Sequence, residues 1–97
     1  MVIYKKIFKV VAQSAIQQVT RQDGTLTQKC TIVLQEVGGK YEDSYTATML
    51  GNMASCKFYQ NDIVFAALRF QHREYNDQYY MDCTVQDIIK FNTGNAF

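Results

Sequence analysis

Apolar and polar residues alternate with a period of two over most of this chain, the pattern of strands that bury one face and wet the other. The alternation is sharpest in residues 61–86, NDIVFAALRFQHREYNDQYYMDCTVQ. Val64, Ala66, Leu68 and Phe70 fall on one side of a first arm, with Arg69 and Gln71 on the other. In a second arm Tyr79, Met81, Cys83 and Val85 alternate with Tyr80, Asp82, Thr84 and Gln86. Two long strands follow from this, and the inner set of each, Tyr79 included, is expected in the core. The segment His72 to Asp77 between them is polar enough for a solvated tip, and Asn76-Asp77 tolerates the positive φ of a tight hairpin turn. Such a tip would carry Arg73 and Tyr75 away from the body, with His72 as an exposed loop residue.

The same period runs through the earlier part of the chain. Ile7, Phe8, Val10, Val11 and Ile16 fit a long, bent first strand from Tyr4 to about Val19, and the β-branched content decides against a helix of similar spacing. Arg21-Gln22-Asp23-Gly24-Thr25 reads as a turn. Thr27 to Val37 is a second strand with Cys30, Ile32 and Leu34 inside and Lys29, Thr31, Val33 and Gln35 outside. Gly38-Gly39-Lys40 turns the chain into a third strand, Tyr41 to Leu50, which sets Tyr45, Ala47 and Met49 opposite Ser44, Thr46, Thr48 and Leu50. Gly51 breaks the pattern, Asn52 suits a helix N-cap, and Met53 to Tyr59 allows one or two helical turns before Asn61-Asp62 opens the fourth strand. The polar tail, residues 92–97, is expected to fray.

Three strands, a short helix and two strands make an all-β chain with the layout of the five-stranded OB-fold, a Greek-key barrel with a helix between strands three and four. Residue-level motifs point the same way. Leu50-Gly51-Asn52-x-Ala54, Asn61-Asp62-Ile63-Val64, Leu68-Arg69-Phe70 and Arg73-Glu74-Tyr75-Asn76-x-x-Tyr79 resemble the C-terminal half of bacterial single-stranded-DNA-binding proteins. They are more similar still to short OB-fold proteins of Bacteroides-type bacteria. Asn61 stands where that family commonly has glycine, and Tyr75 where many members have tryptophan. The long acidic, glycine-rich tail of typical members is missing, so a hub role in replication is not expected. The resemblance implies a homodimer or homotetramer and a single-stranded DNA ligand, with RNA as a second possibility.

Length and composition narrow these expectations. At 97 residues the chain suffices for one domain, with a core spanning about 4–91. Hydrophobic residues at 47% and charged residues at 20% argue against wholesale disorder. The apolar runs at the N-terminus are too short for a signal peptide or a membrane helix, so a cytoplasmic protein with no membrane partner is expected. Cys30, Cys56 and Cys83 are odd in number and far apart, as reduced thiols would be. With a single His72 and no C-x-x-C pair, no metal site is expected, and no cofactor motif is present. No catalytic residues emerge: there is no glycine-rich phosphate loop and no H-E-x-x-H.

Net charge is only +1, but it is unevenly spread: residues 1–29 hold Lys5, Lys6, Lys9, Arg21 and Lys29 against Asp23 alone. Those lysines either make one side basic or simply solvate an exposed strand. Single strands are bound by aromatic faces that stack on bases and by cations that follow the phosphates. On an OB barrel the face of strands two and three and the loops beside it supply both. The residues that fit are Arg21, Lys29, Thr31, Arg69, Arg73 and Tyr75, with Tyr80, and Phe58 and Tyr59 in the connecting helix, weaker. Phe58 suits a plug for the barrel end better than a ligand contact. Arg69 is either a phosphate contact or an ion-pair partner on a wet face. The competing function is an OB module that binds another protein and no nucleic acid.

Overall fold

The computed structural model describes residues 2–38 and 43–91. Gly39 and Lys40 of the expected turn, Tyr41 and Glu42 of the third strand, and the tail 92–97 lie outside the described residues. Six strands form: β1 (Val2–Gln13), β2 (Gln17–Thr20), β3 (Leu26–Glu36), β4 (Ser44–Leu50), β5 (Ile63–Tyr75) and β6 (Gln78–Lys90). They hydrogen-bond in the order β1-β5-β6-β4-β3-β2, and an added β1–β3 pairing closes the sheet into a barrel. β1 and β2 both run antiparallel to β3, so they are two halves of one bent strand and the barrel is the five-stranded OB type. The bend has a local cause. The backbone N–H of Ser14 donates to the Thr31 carbonyl while the Ser14 Oγ accepts the Thr31 N–H, which uses up the ladder before pairing resumes at Gln17 with Lys29.

The alternation puts Phe8, Val10, Cys30, Ile32, Leu34, Ala47, Met49, Val64, Ala66, Leu68 and Val85 in the core, nearly all with no exposure. Two polar groups are buried with them. Glu36 accepts hydrogen bonds from the hydroxyls of Tyr4 (2.6 Å) and Tyr45 (3.2 Å), with the Lys6 ammonium 3.6 Å away. The Tyr4 hydroxyl first, against the opposing effect of burial, and then Tyr45 and Lys6 hold its carboxyl below the usual value. Burial and the same carboxylate push the Tyr45 phenol up to about 12. Asp62 is paired with Lys90 at 3.0 Å and accepts the Tyr59 N–H at 2.8 Å; these outweigh burial and keep its pKa low. All three cysteines are free thiols, with Cys30 buried and Cys56 exposed.

The helix expected at Met53–Tyr59 is instead a 3-10 turn over Gly51–Ser55, and Leu50 rather than Asn52 holds the N-cap position, without a side-chain cap. Gln13 explains why it stops. Its amide donates to the Cys56 carbonyl and accepts the Phe58 N–H, so the backbone past Ser55 is satisfied in extended form rather than by another turn. This clamp lays Phe58 into the core at 9% exposure, where it plugs the barrel end as expected. β5 starts at Ile63 rather than Asn61, because Asn61 adopts φ 73 and Asp62 caps the turn from Tyr59.

The hairpin departs most from expectation. The segment His72–Tyr75 is strand, paired residue by residue out to Tyr75 with Gln78, and the turn is Asn76-Asp77 alone, with φ 52 and 62. Two positive φ values in succession match the twist of a two-residue hairpin. Beyond Phe70 and Cys83 the two strands run past the end of the barrel as an exposed ribbon, in a molecule 48 Å in its longest dimension. Tyr79 and Met81 are therefore 68% and 66% exposed, not core. Their period is right, but no second layer reaches that far. Tyr79 instead stacks on His72, with ring centroids 5.5 Å apart.

Candidate nucleic-acid interface

The outer faces of the strands place the candidate residues relative to one another. On β3, Thr27, Lys29 and Thr31 point away from the core that Cys30 and Ile32 fill. The Arg21 guanidinium, at the stem of the β2–β3 turn, donates to Thr27 Oγ1 at 3.1 Å, which lays it beside that face. Asp23 shapes the turn by accepting the N–H and hydroxyl of Thr25, Gly24 taking φ 88. Lys29 lies between Gln17 of β2 and Leu50 of β4.

Thr31 begins a row that crosses the barrel. It lies opposite Thr48 of β4; Thr48 is the residue through which β4 meets β6 in parallel, at Thr84; and Thr84 lies opposite Arg69 of β5. Directly paired residues share a face. Two threonines, Thr48 and Thr84, thus link Lys29 and Thr31 on one side to Arg69 on the other. Arg69 is partly exposed and forms no ion pair among the described residues. Thr48 and Thr84 were not among the candidates. Both sit in the outer set of their strand's alternation, but only the β4–β6 pairing, which leaves no local signature, brings them together.

From Arg69 the outer face continues up the ribbon, with Gln71 opposite Asp82, Arg73 opposite Tyr80 and Tyr75 opposite Gln78. Arg73 is engaged. Its Nε and Nη2 lie 3.1 and 3.5 Å from the Asp82 carboxylate, and its guanidinium carbon sits 5.1 Å from the Tyr80 ring centre. The outward Asp82 thereby has a partner within the chain. Tyr80 also donates its hydroxyl to Gln78 and is 39% exposed, whereas Tyr75 at the ribbon end is 64% exposed. The outer face of β3 and β4 carries no aromatic residue, so stacking surfaces come from the ribbon.

Of the weaker candidates, Phe58 is removed by burial. Tyr59 is exposed, with the ammonium groups of Lys57 and Lys90 at 5.6 and 5.5 Å from its ring. A cleft of about 270 Å³ lined by Gln13–Ile16 and Ala54–Phe58 contains none of the six, nor Tyr80. Among the described residues no three His, Cys, Asp or Glu side chains gather as metal ligands would. No helix in the described residues is long and apolar enough to cross a membrane.

Comparison with known proteins agrees with the fold. No protein-family model and no curated protein sequence matches the chain. Among solved structures, it is similar to the second OB-fold domain of replication protein A from Methanococcus maripaludis, with TM-score 0.68 and 21% identity over 89% of this chain and 80% of that one. It is also similar to the SSB domain of a Synechococcus sp. protein, with TM-score 0.59 and 22% identity over 91% and 93% of the two chains. At such identities the likeness establishes an OB barrel and no more.

Proposed function

We propose that this protein is a non-enzymatic module that binds single-stranded nucleic acid, DNA foremost, without strong sequence preference. The observation that carries this reading is the row Thr31, Thr48, Thr84 and Arg69, which joins Arg21 and Lys29 to the Arg73, Tyr75 and Tyr80 ribbon along one outer path. Cations and hydroxyls on the barrel suit phosphates, and exposed tyrosines on the ribbon suit unstacked bases. The OB domains it resembles in fold carry names from replication protein A and SSB, and the motifs in residues 50–85 resemble the bacterial single-strand binders.

Self-association into a dimer or tetramer belongs to the same reading. One feature favours the competing protein-interaction module: Ile3, Ile7 and Ile89 stand exposed among charged neighbours on the outer face of β1, β5 and β6. The test is a fluorescence titration with poly-dT at low salt. Saturable binding that weakens steeply as salt rises supports the reading, and no binding at low salt rejects it.

A further inference from the structure

The cleft of about 270 Å³ beside the 3-10 turn is built unlike the strand path. Ala15, Ile16, Ala54 and Phe58 give it apolar walls, and the polar side chains around it are bonded within the chain. Gln13 clamps Cys56 and Phe58, Ser14 Oγ accepts the Thr31 N–H, and the Ser55 hydroxyl and Cys56 thiol both turn to the Asn52 carbonyl. Lys57 differs: it is exposed and forms no ion pair among the described residues. Its ammonium and that of Lys90 both lie against the Tyr59 ring, but the Lys90 charge is met by Asp62 at 3.0 Å. From Ile16 the chain enters β2, which ends the sheet order and pairs with β3, so its other edge has no strand beside it among the described residues.

We propose that the cleft and the β2 edge dock an extended segment of a partner protein, with a large apolar side chain in the cleft and a carboxylate on Lys57. An extended chain adds to an unpaired edge through its backbone, while pockets for its side chains give the selectivity. Apolar walls whose polar side chains are already bonded favour an apolar side chain over a hydrogen-bonding base. Stacking is disfavoured too, because Phe58 is buried and a base on Tyr59 would have to displace two ammonium groups. The one cation without an ion pair at the cleft sets a single acidic residue beside the apolar one. No residue assigned to the strand lines the cleft, so the proposal does not depend on the nucleic-acid reading.

The test is titration of a labelled probe peptide, acetyl-Thr-Val-Phe-Asp-Val-Thr-amide, read by anisotropy, with amide chemical-shift mapping of the same mixture. Saturable, submillimolar binding is expected, with shifts gathered at Ala15, Ile16, Lys57 and Gln18. Exchanging the peptide's Phe for Ala, or Ile16→Glu in the protein, should remove binding. Exchanging its Asp for Asn, or Lys57→Gln, should weaken it about two- to fivefold, the range of an exposed ion pair. Ile16 and Lys57 are both exposed, so these variants should keep the fold, which circular dichroism melts check. A peptide that fails to bind the wild type, binds Ile16→Glu equally well, or shifts amides elsewhere overturns the proposal. Loss of affinity for a dT oligonucleotide in both variants, with the peptide unaffected, also overturns it and gives the cleft to nucleic acid.

Discussion

The Arg73–Asp82 pair gives the binding path a sensitive and selective probe. Four cations lie along the path, Arg21, Lys29, Arg69 and Arg73, and the Asp82 carboxylate sits 3.1 Å from the last of them. A phosphate reaching Arg73 must compete with that carboxylate, so the wild type acts as though it had three free cations. Each phosphate neutralised on a single strand contributes about −0.7 to the slope of log affinity against log salt, giving about −2.1 for three cations and about −2.8 for four. Raising salt from about 50 to about 200 mM should therefore cost the wild type ~20-fold in affinity and Asp82→Asn ~50-fold, with the variant the tighter binder at low salt. Fluorescence anisotropy of a labelled dT oligonucleotide across four salt concentrations reads both slopes. The pair is exposed, and ion pairs of that kind contribute little to stability, so the melting temperature should hardly move. Equal slopes and affinities for the two proteins would refute the idea that the strand reaches the ribbon.

Other expectations follow from the same geometry. Tyr75→Ala should leave the fold intact and lose one stacking platform, worth roughly 5- to 150-fold in affinity for dT oligonucleotides; unchanged affinity would remove the ribbon tip from the path. Phe58→Ala should open a cavity at the barrel end and cost about 3 kcal/mol in urea denaturation. Glu36 has a folded pKa below its usual 4.5, so the stability it contributes is fully present above that value and is lost as pH falls through the lower folded value. Glu36→Gln should then flatten the acid limb of a pH–stability curve, and an identical limb in both proteins would place the acid sensitivity elsewhere.

How far the sequence could be read depends on whether an interaction is local. The period-two pattern identified the strands and most of the core, because Ile32, Leu34, Ala47, Met49, Val64, Ala66 and Leu68 each declare their side by their neighbours alone. It also found Asn76-Asp77, whose chemistry fits a turn with positive φ. It failed where a partner from far along the chain decides. The expected helix is cut short by Gln13, 45 residues before the Phe58 N–H that it accepts. Tyr79 and Met81 alternate like core residues, and only the length of the ribbon relative to the barrel exposes them. For the site, strand periodicity and the resemblance in residues 50–85 named the outward cations and tyrosines. The threonine link between them was invisible, since it depends on a parallel pairing of distant strands, Thr48 with Thr84. Asp82 as the partner of Arg73 likewise required the register of the hairpin.

The central claim, that one outer path across β3, β4, β6 and β5 carries a single strand, is tested most directly by amide chemical-shift mapping during titration with a dT oligonucleotide. Shifts are expected at Lys29, Thr31, Thr48, Thr84 and Arg69, continuing to Arg73 and Tyr75 on the ribbon. Shifts confined to the Ile7, Phe65 and Ile89 face, or no shifts at saturating oligonucleotide, would contradict it.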